Sequence, residues 1–199
     1  MTDLAIGVIG VGGMGARHAL NIQYHIVGAR VGALYDLDQA RASAVAAQSG
    51  APLVAADPFE LIQHAAIDAI LIVSPDPTHA AFVHECLRQR KPVLCEKPLA
   101  TSAADALAIV AAECALGRRM VSVGFMRRFD PQHVAVKQAL TSGAIGMPFL
   151  FKGVHRNPMI PAGFTAPMVV MSSASHDIDS LRWLLEQEIS EVYVRGIRT

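Results

Sequence analysis

Apolar residues arrive in short unbroken runs, separated by longer stretches in which they recur every three or four positions. Ala5-Ile6-Gly7-Val8-Ile9 is the first run, Val31-Gly32-Ala33-Leu34-Tyr35 the second, and Ala69-Ile70-Leu71-Ile72-Val73 the clearest. A run that is apolar at every position, not every second one, is the pattern of a strand covered on both faces, as in a parallel sheet. Strands are thus predicted over residues 4–9, 30–36, 51–55, 69–73, 92–95 and 120–123. Helices are predicted between them over 14–22, 39–48, from Pro58, from Thr78 to about Arg90, and from Thr101 or Ser102 to near Gly117. Asp57-Pro58 places a capping acid before a proline in the first turn, and Thr78 and Ser102 are read as caps of the same kind. Strict alternation of strand and helix predicts an α/β fold with a doubly wound parallel sheet.

The rhythm breaks at Gly124. Asp130-Pro131 opens a helix to about Thr141, Pro148 to Val154 has strand character, and Pro158, Pro161 and Pro167 mark a loop. Ser175 to Glu186 reads as a helix and Ile189 to Ile197 as a strand. We expect two domains, 1–123 and 124–199. The second is expected to be the start of an α+β domain, because two strands and two helices do not close a useful sheet.

The chemistry begins where the first run ends. Gly10-Val11-Gly12-Gly13-Met14-Gly15 carries the G-x-G-x-x-G spacing between a strand and a helix. Gly10 permits the tight turn, Gly12 lets a pyrophosphate approach the backbone, and Gly15 lets helix and sheet pack closely. The helix N-terminus then offers N–H groups and a partial positive charge to phosphates. Asp36 ends the second run about 20 residues later, where this motif places a carboxylate for the ribose hydroxyls. Together these predict a Rossmann domain that binds NAD. No arginine directly follows Asp36, and Arg41 lies a turn into the next helix, so a 2′-phosphate should be disfavoured.

Charge and composition remove other classes. Lys+Arg and Asp+Glu are each 17, so neither nucleic acid nor an anionic membrane is an expected partner. Residues 52% hydrophobic suit a large core. Cys86, Cys95 and Cys114 have no metal or disulfide-framework spacing and read as small buried hydrophobes in a reducing compartment. No leader pattern and no apolar run of roughly 18 residues is present, so a soluble cytoplasmic protein is expected, with no metal.

Beyond the glycines, Cys95-Glu96-Lys97-Pro98 stands at the end of a predicted strand, the edge at which open α/β sheets bind ligands. This segment, together with Gly124-Phe125-Met126-Arg127-Arg128-Phe129-Asp130, His155-Arg156-Asn157-Pro158 and His176-Asp177-Ile178-Asp179, resembles the glucose–fructose oxidoreductase/inositol dehydrogenase/rhizopine-catabolism family. The resemblance covers essentially the whole chain, and its last three segments favour inositol over other sugars.

It implies NAD-dependent oxidation of a cyclic polyol, myo-inositol to its 2-keto product, by a homo-oligomer (tetramer or dimer) if the second domain is complete. Lys97 and His176 would be catalytic. Ser74, Pro75, His79 and Glu96 would join Gly10, Gly12, Gly13, Met14, Gly15, Asp36 and Lys97 around the cofactor. Met126, Arg127, His155, Asn157, Ser172 and Asp179 would bind substrate with Lys97 and His176. His176 suits a general base, since an ordinary imidazole titrates near neutrality. His176 and Asp179 share a helix face, while Ile178, Leu181 and Leu185 are expected to form the buried stripe. None of His18, His25, His64, His79, His84 and His133 has an arrangement comparable to that of His176. The family carries an aspartate where Ser172 stands, so a non-catalytic NAD-binding protein remains an alternative beside another sugar or cyclitol oxidoreductase.

Overall fold

The computed structural model describes residues 3–156, 159, 163–165 and 168–196. The chain divides into two compact units, Met1–Gly124 and Phe125–Thr199. In the first, β1 (Leu4–Ile9), β2 (Ala29–Tyr35), β3 (Ala69–Ile72), β4 (Val93–Cys95) and β5 (Val121–Val123) form one parallel sheet in the order β2-β1-β3-β4-β5. Helices α1 (Gly13–His25), α2 (Gln39–Ser49), α3 (Pro58–Gln63), α4 (His79–Arg88) and α5 (Ala103–Ala115) make the crossovers.

The unbroken apolar runs are explained by a core on each side of the sheet. Ile9, Ile62, Ile70, Ile72, Val83 and Val93 fill one, among α3, α4 and α5. Val8, Ile22, Val31, Leu34 and Val45 fill the other, beneath α1 and α2. Each such side chain contributes about 1.5–3 kcal/mol when fully buried. Phe59 and Phe82 meet edge to face, with centroids 5.4 Å apart.

Caps follow the local sequence closely. Asp57 Oδ1 accepts from the amides of Phe59 and Glu60, and Ser102 Oγ accepts from that of Asp105. Thr78 departs from expectation: Asp76–Thr78 is a 3₁₀ turn, and the Thr78 hydroxyl donates to the Pro75 carbonyl rather than capping α4. Its backbone is already helical, whereas a capping residue has extended geometry.

The strand expected over 51–55 shrinks to a single parallel bridge between Leu34 and Val54. The Leu34 amide donates to Leu53 O, the Ala55 amide donates to Leu34 O, and pairing ends there. That bridge lies beyond β2, on the far side from β1.

The second unit, taken alone, holds a 3₁₀ turn at Met126–Phe129, α6 (Pro131–Thr141), a π-helical segment at Val169–Ala174 and α7 (Ser175–Leu185). Asp130 caps α6 through the amides of Gln132 and His133. The strands expected over 148–154 and 189–197 are absent among the described residues. A strand needs a partner for its ladder, and a run of apolar and β-branched residues supplies only the surface to be buried. Among the described residues no helix is long and apolar enough to cross a membrane.

Candidate functional site

In the first unit the loops after β1, β3 and β4 leave the same edge of the parallel sheet. The chain order reverses between β1 and β3, where β2 lies to one side and β3 to the other, and such a switch point opens a crevice. The glycine loop sits there. Gly10 has φ +88°, and an added Cβ would lie 2.7 Å from the Ser74 backbone. A Cβ on Gly15 would run into the Gly10 carbonyl oxygen. At Gly12 and Gly13 an added Cβ meets nothing within 4 Å. Two glycines therefore serve the fold, and two leave open space at the α1 N-terminus. Gly12 is the N-cap there with no side-chain hydrogen bond, so the first amides of α1 receive no side-chain cap. Met14 is exposed on the first turn.

Asp36 is buried, with Oδ2 accepting from the Val11 amide at 2.8 Å and Oδ1 from the Asp38 amide at 2.9 Å. Both bonds fix the carboxylate relative to the glycine loop. Together Gly10, Gly12, Asp36, Arg41, Ser74 and Pro75 line part of a cavity of about 720 Å³. An uncapped helix N-terminus, open space over Gly12 and a fixed acid beside it fit a dinucleotide. The expectation for Arg41 is corrected: it does reach back, with Nη1 3.5 Å from Asp36 Oδ1, because its place in the first turn of α2 directs it toward the end of β2.

The β4 end carries Glu96 and Lys97, both half-buried. Glu96 is gripped on three sides. His18 Nε2 is 3.5 Å from Oε1, the Lys97 amide donates to Oε2 at 3.3 Å, and Gly124 leaves room for the carboxylate where a Cβ would come within 2.9 Å of it. The His18 ring and the Lys97 amide hold the Glu96 carboxyl below its ordinary range. His18, which sequence pattern left unassigned, thus ties the second turn of α1 to the Lys97 turn.

His79 is placed differently from its expected role at the cofactor. It is 1% exposed, with Nδ1 2.7 Å from Pro98 O and Nε2 2.8 Å from Ser74 O. Both ring nitrogens are engaged by backbone, so His79 braces the Ser74 and Pro98 turns rather than facing a ligand. Burial pushes the Cys86 and Cys95 thiols up to about 12, whereas Cys114 is exposed, contrary to expectation.

In the second unit α7 buries a polar stripe. His176, Asp179, Ser180 and Leu184 are sealed, and Ile178, expected inside, is 41% exposed. Positions i, i+3, i+4 and i+8 share one face, so choosing this stripe turns Ile178 outward. The Phe125 ring stands edge-on to His176 at 6.2 Å. Asp179 receives a two-pronged pair from Arg128, Nε to Oδ2 at 2.9 Å and Nη2 to Oδ1 at 2.7 Å.

Asp177, on another face of α7, carries a role that sequence pattern missed. It pairs with Arg127 through Oδ1 and lies 3.3 Å from His155 Nδ1 through Oδ2. One carboxylate thereby joins two residues expected at the substrate. Met126 is largely exposed, Ser172 lies in the π-helical segment before α7, and Asn157 lies outside the described residues. No cluster of three or more His, Cys, Asp or Glu able to hold a metal ion occurs among the described residues.

Residues 4–125 match the family described as an oxidoreductase family with an NAD-binding Rossmann fold, and residues 133–199 match the GFO/IDH/MocA C-terminal domain. The chain is 57% identical over 196 residues to inositol 2-dehydrogenase of Rubrobacter xylanophilus, covering 98% of this chain and 56% of that protein. It is 50% identical over 195 residues to inositol 2-dehydrogenase 1 of Saccharopolyspora erythraea, covering 98% and 58%. Among solved structures it resembles myo-inositol dehydrogenase from Lactobacillus casei in complex with NAD(H) and myo-inositol. There the TM-score is 0.89 and the identity 32%, over 98% of this chain and 61% of that one. The chain spans a little over half the length of the curated relatives it matches.

Proposed function

The chain belongs to the Gfo/Idh/MocA oxidoreductase family, and from that premise we propose an NAD-dependent dehydrogenase that oxidises a ring carbinol of a cyclic polyol, myo-inositol first, to the ketone. The observation that carries the reading is the open cradle over Gly12 with Asp36 fixed beside it. The names of the relatives support the polyol.

Bound NAD supplies the hydride acceptor; the chain's own residues bind, orient and move the proton. The amides that open α1 receive the pyrophosphate, and Asp36 accepts from the ribose diol. His176 takes the hydroxyl proton, and the Lys97 ammonium steadies the developing alkoxide. Arg127 and His155, both joined to Asp177, bind ring hydroxyls with Met126, Asn157, Ser172 and Asp179. The Arg128 pair leaves Asp179 two charge-assisted bonds already made, which orients its remaining lone pairs. The family resemblance implies a homo-oligomer, dimer or tetramer, where the second domain is complete. The expected compartment is the cytoplasm.

Absorbance of reduced cofactor, followed with myo-inositol, scyllo-inositol and glucose, tests the reaction. The expected order puts myo-inositol first, and Lys97→Ala should lower kcat by about 10²-fold or more with little change in NAD affinity. Tight NAD binding without turnover on any polyol would instead favour a non-catalytic NAD-binding protein, the reading that Ser172 motivates.

A further inference from the structure

The cation at the adenosine end of the cradle is held by acids, and its significance rests on the dinucleotide reading of that cradle. Among the described residues lining the 720 Å³ cavity, Arg41 alone carries a positive charge. Its Nη2 lies 3.1 Å from Asp38 Oδ2 and its Nη1 3.5 Å from Asp36 Oδ1. Neither acid is free to drift. Asp38 is the N-cap of α2, its Oδ1 accepting the Arg41 amide at 3.0 Å, and Asp36 is fixed by two backbone amides. The same short segment therefore anchors the guanidinium's partner and its own backbone. Two carboxylates against one guanidinium leave this end of the cavity net negative.

A dinucleotide with a 2′-phosphate brings up to about two more negative charges there. An arginine is the side chain best suited to receive such a group, through paired N–H bonds. A phosphate there would have to compete with the Asp38 carboxylate for the Arg41 guanidinium. We propose that Asp38 is a cofactor-specificity residue: by holding Arg41 it withholds that cation of the cavity lining from a 2′-phosphate, and so keeps the site for the unphosphorylated dinucleotide. Asp36 repels the phosphate directly, whereas Asp38 acts through Arg41.

Calorimetric titration of the 199-residue chain with NAD and with NADP tests this without any need for turnover. Asp38→Asn keeps the cap, since an amide oxygen also accepts from the Arg41 N–H, but it removes the charge that holds the guanidinium. NADP affinity should rise at least about fivefold while NAD affinity changes less than about twofold. Asp38→Ser, another capping residue, should behave likewise and guards against an effect peculiar to asparagine. In Asp38→Asn/Arg41→Ala the gain should vanish. An NAD-to-NADP ratio unchanged in both single variants overturns the proposal. So does a gain that survives the loss of Arg41, which would mean that removing a negative charge was the whole effect. In either case, NAD binding by the parent leaves the dinucleotide reading standing. A parent that binds neither dinucleotide overturns both.

Discussion

In the first unit the sealed interior is made of residues such as Ile9, Leu34, Ile62, Ile72 and Val83, whereas in the second the described residues that are sealed are His176, Asp179, Ser180 and Leu184. The first arrangement draws its stability from apolar surface removed from water and needs little directional precision. The second is held by directional pairs: Arg127 with Asp177, Arg128 with Asp179, Lys137 with Glu186, Arg182 with Glu188. Arg182 and Glu188 lie largely in solvent, where a pair contributes little, and sealing the Asp179 carboxylate carries a desolvation cost that its pairing only offsets, so such pairs orient side chains more than they stabilise a fold. The difference teaches a division of labour. One unit is a scaffold that presents backbone amides and a fixed acid, and among the described residues of the other the sealed side chains are mostly polar and mutually oriented.

The comparison is broken most directly by native-state hydrogen exchange on the intact chain. Amides of β1 and β3 should be protected at least about 10³-fold more than those of α6 and α7, a difference of about 4 kcal/mol in opening free energy. Equal protection in both sets would mean that the polar interior stabilises as well as the apolar one, and the contrast would be lost.

A smaller effect sharpens it from the side of charge. The first unit has its own ionic clasp, in which Glu85 accepts from Arg88, Gln89 and Gln63 and ties α4 to α3. The Arg88 guanidinium, helped by both amides, lowers the Glu85 carboxyl to about 2. Because the folded value lies below the ordinary one, this contribution is complete above about pH 4.5 and fades as pH falls toward about 2. Glu85→Gln should therefore melt below the parent at pH 7, with the gap closing between those two values. A gap that persists at pH 2 would show that shape and not charge makes the clasp.

The parts of this molecule that were legible in the sequence are those decided by near neighbours. Caps at Asp57, Ser102 and Asp130 depend on amides two or three residues away, and each stands as its sequence suggested. The parallel sheet was legible because burial on both faces leaves no polar positions in β1 and β3. The illegible parts need a distant partner. Residues 148–154 have the apolar, aromatic character of a strand yet pair with nothing described, and Val54 gains a single bridge. His79 and Asp177 escaped for the same reason: what assigns them is Pro98, Ser74, Arg127 and His155, all brought near only by folding. The π-helical segment ahead of α7 has no marker in Val169-Val170-Met171-Ser172-Ser173-Ala174 that separates it from an ordinary helix.

The glycine loop offers the sharpest single test, because its members are predicted to fail differently. Gly15→Val would drive a side chain into the Gly10 carbonyl and should unfold the first unit. In Gly12→Val the added Cβ meets nothing within 4 Å and the backbone lies outside the left-handed region, so the expected cost to the fold is that of a poorer cap, about 1 kcal/mol or less. It would fill the space proposed to receive the pyrophosphate. Calorimetric titration of NAD into the Gly12→Val chain, beside its thermal melt, decides whether that space is a binding site. The account predicts a melt close to the parent's and an NAD affinity at least about tenfold weaker. An affinity equal to the parent's, in a variant that melts like the parent, would contradict it.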